Sequence, residues 1–535
     1  MVTRRQLRLF GKPKETFFIE RNDIMKSYYI TTPIYYPSGK FHIGTAYTTI
    51  LSDFLARYKR NQGFDVKFLT GMDEHGMKIE EKAKEAGLTP QIFVDEKAEM
   101  AQNMWKKLNI SEHGFIRTTD SKHKELVKKI YEKMLENEDI YKGHYSGWYC
   151  TPCETFFTES QLVDSKCPDC NREVKITEEE CYFFNMKKYE DRFKQFYEEN
   201  PTFLEPLYRK EELFNNFINK GLEDLCISRT TFEWGIKLPN DPKHVLYVWL
   251  DALCNYITHL GYLSEDETAF NKYWPADLQI VGKDIIRFHA IYWPIFLMAL
   301  NLQPPKKLYA HGWILMKDGK MSKSKGNLVY PDELANRYSV DAVRYIIFKL
   351  MGYGSDAEFT PEIFVEKYNT DLCNDLGNLL NRTIAMVNKY FEGNINDIAL
   401  DDSGHDEMIE TTLKKSLNNY HQKIDELHFS DAISELWNII STSNKYIDLT
   451  APWNLAKEET EMNKLKSVLY HLVINLKEFA YNIDPLIPDT AQEILKQIGC
   501  TKKDQTEFKV VEKGTPLFIR LDMEQEVEEI KKLMI

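Results

Sequence analysis

The sequence predicts a split α/β domain on a parallel sheet, interrupted by a cysteine-bearing insert and followed by an all-α domain. Three observations predict it. Residues 27–70 read strand, glycine-containing turn, helix, strand; two Cys-x-x-Cys pairs fall between 150 and 170; helical periodicity runs from about residue 368 onward. With 535 residues the chain exceeds what one hydrophobic core organises, so several domains are expected.

The first 25 residues are polar and mildly basic, with Arg4, Arg5, Arg8, Lys12, Lys14 and Arg21 set against Glu15, Glu20 and Asp23. They read as a short N-terminal extension, with an organellar presequence or a second start at Met25 as alternatives. Ser27-Tyr28-Tyr29-Ile30-Thr31-Thr32 is β-branched and aromatic, a strand expected to end at Pro33. Pro37-Ser38-Gly39 turns the chain into a helix that starts near Gly44 and runs through Ile50, Phe54, Leu55 and Tyr58. Residues 66–70 form the second strand, and a βαβ unit implies parallel pairing.

Residues 77–140 are expected to be helical, and 141–226 to form an irregular insert. Sheet-like runs resume at Val245-Leu246-Tyr247-Val248 and Leu278-Gln279-Ile280-Val281. Successive amphipathic helices then follow, such as 376–391 and 465–481. The expected divisions are an extension (1–25), the first half of the α/β domain (26–140), the insert (141–226), the second half with a lysine loop (227–330), a connecting region (331–367) and the helical domain (368–535).

A hydrophobic share of 43% and a charged share of 28% are those of an ordinary globular protein. No apolar run is long enough to span a bilayer. The net charge of −13 excludes a general nucleic-acid coat, yet residues 306–325 hold six lysines against Asp318 alone. Nine cysteines, an odd number, without a secretory segment point to a reducing compartment, so a cytoplasmic location is expected.

His42-Ile43-Gly44 opens a helix, where free N–H groups and the positive dipole end suit phosphate. An imidazole there can donate to phosphate oxygens. Lys320-Met321-Ser322-Lys323-Ser324-Lys325 follows the turn Asp318-Gly319 and forms a cationic loop suited to a triphosphate and its departing pyrophosphate. Cys150, Cys153, Cys167 and Cys170 follow the pattern Cys-x₂-Cys-x₁₃-Cys-x₂-Cys, which supplies four thiolates to one structural Zn²⁺. Two disulfides or an iron–sulfur site are the alternatives.

With both half-sites in this order and an α/β pattern around them, the chain resembles the class I aminoacyl-tRNA synthetases. Four further strings make it similar to the methionyl members, in the four-cysteine zinc form. They are Thr32-Pro33-Ile34-Tyr35-Tyr36-Pro37, Gly71-Met72-Asp73-Glu74-His75-Gly76, Tyr247-Val248-Trp249-Leu250-Asp251-Ala252 and Gly282-Lys283-Asp284-Ile285-Ile286-Arg287-Phe288-His289. The resemblance covers residues 27 to 530. It implies a split Rossmann-like catalytic domain, a zinc-bearing insert and a helical-bundle anticodon-binding domain.

The implied activity is that of a methionine–tRNA ligase: methionine and ATP give methionyl-adenylate and pyrophosphate, and methionine then passes to the 3′ end of tRNA(Met). The resemblance assigns catalysis to His42, Lys320 and Lys323. ATP binding falls to these with Gly44, Thr45, Lys283, Asp284 and Ser322, and Mg²⁺ accompanies the nucleotide. For methionine it implies Asp73 at the ammonium, with Ile34, Tyr36, Trp249, Ala252, Leu253, Tyr256, Ile285 and His289 around the side chain. Asn378, Arg382 and Trp453 would read the anticodon.

Several of these residues also have plainer readings. Asp73 suits a helix N-cap, Lys283 and Asp284 a surface ion pair, and Trp249, Tyr256 and Trp453 a hydrophobic core. Thr45 stands where the family has a second histidine, and Leu253 where it often has proline. Thr45 motivates the rival reading, a tRNA-binding paralogue without catalysis; the intact lysine loop and Asp73 oppose it. A ligase for isoleucine, valine or leucine would need a longer editing insert, and one for cysteine a zinc in its pocket. The acidic helical stretch 524–535 leaves no room for the OB-type domain many members carry, which implies a monomer.

Overall fold

The computed structural model describes residues 25–37, 39–151, 155–157, 159–168, 170–317, 319–321, 326–396 and 401–534. Cys153, Ser322 and Lys323 therefore lie outside the described residues. Two compact units emerge. One comprises Ser27–Trp313 with Gly354–Asp356, the other Ile314–Tyr353 with Ala357–Ile535.

The first unit is built on six strands: β1 (Ser27–Tyr35), β2 (Asp65–Met72), β3 (Gly114–Arg117), β4 (Leu204–Glu205), β5 (Leu278–Gly282) and β6 (Leu308–His311). Their order is β3-β2-β1-β5-β6-β4, and every neighbouring pair is parallel. Strand order reverses between β1 and β5, so the crevice outside their carboxyl ends is where an open α/β sheet places a ligand. The middle of β1 is continuously buried, as expected of a parallel strand covered on both faces.

Four sequence expectations change here. β1 continues past Pro33 to Tyr35, because its register with β2 shifts between Thr31 and Ile34, and the irregularity accommodates a residue without an amide donor. The span 77–140 is not all helix. Between Pro90–Lys107 and Ser121–Glu136 it contributes β3, too short to show a period of two. β4 comes from within the expected insert and pairs with β6 at the edge of the main sheet. Val245–Leu246 pairs antiparallel with Ser228–Arg229 outside the main sheet, and Val248 already starts the helix Val248–Thr258. A short apolar run reads alike as a buried strand and as the start of a buried helix.

The insert is an antiparallel sheet. Ile140–Cys150 pairs along its length with Lys175–Phe184, with Thr155–Phe157 on one flank and Leu225–Cys226 on the other. In the second unit, Ile314–Met316 pairs with Gly319–Lys320 and with Ala357–Glu358. The rest is mainly helical, including Asn378–Phe391, Asp406–Asp425, Phe429–Thr450 and Met462–Ile483. The last helix, Met523–Leu533, is tied back through Glu526, which accepts from Arg337 Nε at 2.6 Å and Tyr338 Oη at 2.7 Å.

Candidate active site, metal centre and helical surface

His42 caps the helix Ile43–Asn61, and its Nδ1 accepts from the Gly44 N–H at 3.1 Å. With Nδ1 occupied as an acceptor, the neutral ring carries its proton on Nε2, which becomes the donor toward a ligand. Burial lowers the pKa of His42 and the charge of Asp284 opposes that shift, so the two residues, far apart in sequence, act on each other. Gly44 and Thr45 lie in the first turn, where the Thr45 N–H donates to the His42 carbonyl at 3.0 Å.

Asp284 stands just beyond β5, exposed, and accepts from Trp313 Nε1 at 3.3 Å. Its charge also reaches His289 and His311. A Cβ on Gly282 would lie 2.5 Å from Asp284 Oδ1, so the Asp284 carboxylate folds back closely over the Gly282 backbone. Lys283 pairs with Asp356 at 2.7 Å and lies 4.0 Å from the centre of the Trp313 ring. Sequence reasoning missed Trp313, Asp356 and His311. His311 Nδ1 donates to the Gly312 carbonyl at 2.7 Å, and Nε2 accepts from the Thr48 hydroxyl at 2.7 Å. Nothing local marked them, since each depends on a partner from another element.

The apolar candidates converge beside this edge. Trp249 stacks on Phe288 with centroids 3.5 Å apart and planes 7° from parallel. Ile34, Trp249 and Ile285 pack against the core that contains Leu253 and Tyr256, and Ala252 is buried on the same helix. Tyr256 Oη lies 2.7 Å from His289 Nε2, while His289 Nδ1 lies 3.0 Å from the Ile285 carbonyl. A carbonyl can only accept, so Nδ1 carries the proton and the phenol donates to Nε2. Burial holds the His289 pKa down at about 4, so the ring is neutral at physiological pH. Tyr36 departs from the group: it packs against Ile79, Ala83, Phe93 and Val94, with Trp234 alongside.

Asp73 follows β2, nearly buried, and its N–H donates to the Tyr35 carbonyl at 3.0 Å. A Cβ on Gly71 would meet the Ile116 carbonyl oxygen at 2.1 Å, so β2 approaches β3 this closely only with glycine. The next residues are pinned. Glu74 accepts from Arg117 Nε at 2.7 Å and from the Thr119 hydroxyl, and the Glu74 carbonyl accepts from Trp234 Nε1 at 2.6 Å. His75 Nδ1 meets Asp251 Oδ2 at 2.6 Å. This edge of the sheet therefore offers a neutral imidazole donor at a helix N-terminus, a buried carboxylate, and a group of packed aromatic side chains beside a second neutral imidazole. That set suits a phosphate beside an amino acid with an apolar side chain.

In the insert, the Sγ atoms of Cys150, Cys167 and Cys170 lie within 4.8 Å of one another, and Cys150 and Cys170 are 3.5 Å apart. A disulfide would need about 2 Å, and none of the described cysteines forms one. Thiolates around a tetrahedral ion at about 2.3 Å would sit roughly 3.8 Å apart, so these three fit a metal.

The remaining candidates lie in the second unit. Lys320 is exposed at the end of Gly319–Lys320, opposite Leu315. Asn378 and Arg382 are four residues apart on the helix Asn378–Phe391 and so share a face. Arg382 Nη2 reaches Asp448 Oδ1 at 3.2 Å, near the end of the helix that leads to Trp453. Trp453 is 46% exposed and Leu449 44%, so the core reading of Trp453 fails.

Comparison with known proteins adds the following. Residues 28–177 and 172–384 match the family "tRNA synthetases class I (M)", and residues 400–517 match "Anticodon binding domain of methionyl tRNA ligase". A methionine–tRNA ligase of Enterococcus faecalis is 52% identical over 531 residues, covering 95% of this chain and 79% of the relative. One from Bacillus subtilis is 51% identical over 530 residues, covering 95% and 80%. A Mycobacterium tuberculosis methionyl-tRNA synthetase, solved in complex with methionyl-adenylate, superimposes with a TM-score of 0.88 at 38% identity. It covers 93% of this chain and 100% of that one.

Proposed function

This chain belongs to the methionyl-tRNA synthetases of class I, and from that premise we propose that it activates methionine with ATP and transfers it to tRNA(Met). The observation that carries the reading is that Asp284, just beyond the carboxyl end of β5, acts electrostatically on both His42 of the phosphate half-site and His289 beside the aromatic residues. Phosphate chemistry and side-chain recognition thereby share one crevice.

Methionine's carboxylate attacks the α-phosphorus of ATP, and pyrophosphate leaves. The protein's part is to position the reactants and to stabilise charge. His42 donates from Nε2 to a phosphate oxygen, supported by the N–H groups around Gly44 and Thr45. Lys283 and Asp284 serve the nucleotide. Lys320, Ser322 and Lys323 are assigned to the triphosphate by resemblance, and ATP enters with Mg²⁺. Asp73 binds the ammonium; Ile34, Trp249, Ala252, Leu253, Tyr256, Ile285 and His289 enclose the thioether, which favours aromatic neighbours. Tyr36 borders the same edge from its own cluster.

Cys150, Cys167 and Cys170, joined by Cys153, would hold Zn²⁺ as a closed structural site that braces the insert. Asn378, Arg382 and Trp453 read splayed anticodon bases by stacking and by hydrogen bonds to base edges. The odd number of cysteines and the family's role in tRNA charging favour a cytoplasmic enzyme. The deciding experiment is ATP–pyrophosphate exchange with each of the twenty amino acids. Exchange with methionine alone is expected, and exchange with none would overturn the reading.

A further inference from the structure

A buried carboxylate–imidazole cluster on the helix that carries Trp249 and Tyr256 takes no part in the mechanism above. Asp251 sits on Val248–Thr258, the helix that carries Trp249, Ala252, Leu253 and Tyr256, and is 1% exposed. Its carboxylate holds two buried imidazoles: Oδ2 meets His75 Nδ1 at 2.6 Å, and Oδ1 meets His123 Nε2 at 2.8 Å. His123 Nδ1 is taken in turn by the Thr258 hydroxyl at 2.7 Å, so that ring bridges two points of one helix. His75 is different. It lies two residues after Asp73, on a segment also anchored by Asp73 N–H to the Tyr35 carbonyl, by Glu74 to Arg117, Thr118, Thr119 and Trp234, and by the Gly76 N–H to the Trp234 carbonyl at 3.1 Å.

None of those other anchors joins the segment to the helix Val248–Thr258; the His75–Asp251 bond does. Each carboxylate oxygen thus has its own imidazole partner, and a bond as short as the one to His75 fixes direction as well as separation. We propose that Asp251, acting through His75, is a positioning residue that sets the distance between Asp73 and the aromatic side chains of Trp249 and Tyr256, and so the fit of methionine. The inference rests on the assignment of Asp73 and these side chains to methionine.

The test compares two matched truncations in the full chain, His75→Leu and His123→Leu. Each leaves Asp251 with one imidazole, but only the first cuts the link to Asp73. In methionine-dependent pyrophosphate exchange, His75→Leu should raise the KM for methionine about tenfold or more while the KM for ATP stays within about twofold. His123→Leu should lower the melting temperature yet leave the KM for methionine within about twofold. His75→Asn, whose side-chain amide can donate close to where Nδ1 does, should recover most of the loss; it also serves if His75→Leu fails to fold. Equal shifts in the KM for methionine from both positions, or no shift from either His75 variant, would overturn the inference. A wild type with no methionine-dependent exchange overturns instead the reading on which it rests.

Discussion

Tyr256 donates its phenolic hydrogen to Nε2 of His289 at 2.7 Å, while the other ring nitrogen is committed to the Ile285 carbonyl. Both nitrogens of a buried, neutral imidazole are thus used inside the protein. The Tyr256–His289 pair carries no net charge, which matches a thioether better than a charged or strongly hydrogen-bonding side chain.

The neutral ring has a consequence for stability. The pKa of His289 is about 4 in the folded protein and would be about 6.5 unfolded. Between these values the unfolded chain binds a proton that the folded one does not. The contribution is therefore complete above pH ~6.5, falls as pH drops toward 4, and amounts to about 3 kcal/mol. Thermal unfolding of wild type and His289→Phe at about pH 7 and 5 checks this. The variant should lose less stability on acidification, and equal losses would count against it.

Asp73→Ala should abolish methionine-dependent pyrophosphate exchange, because the methionine ammonium then meets no buried carboxylate. A loss of at least about a hundredfold in kcat/KM is expected. Near-normal exchange would sink the assignment.

Elemental analysis should find about one zinc per chain, the stoichiometry of a closed four-thiolate site. Cys167→Ser, or prolonged chelation, should release it and lower the melting temperature of the insert. Less than about half an equivalent in freshly purified protein would speak against the site.

Trp453→Ala should raise the KM for tRNA in aminoacylation by about tenfold, the cost of losing a stacked base. Pyrophosphate exchange, which needs no tRNA, should be unchanged. Loss of both activities would indicate misfolding of the helical unit instead.

Much of the candidate site was legible because its residues lie in short strings. His42 with Gly44, the sequence around Asp73, and the paired cysteines each carry their chemistry within a few positions. The exposure of Trp453 was not legible, since a helical tryptophan reads the same whether it faces core or solvent. Nor was the separation of Tyr36 from its motif partner Ile34: strand alternation would put two residues so spaced on one face, but β1 ends at Tyr35 and Tyr36 packs in another cluster.

By itself the sequence determined the class of fold, the βαβ start, the helical C-terminal part and the residue types available for catalysis. These follow from local periodicity and from spacings of a few residues. Only the tertiary structure decided the strand order that brings β5 beside β1, the edge pairing of β4, and the use of both imidazole nitrogens in His289. It alone joined Asp251 to His75 and His123 across 176 and 128 residues. The reason is physical. A hydrogen bond between distant segments depends on how whole elements pack, and no local pattern records which face of one helix will meet which loop.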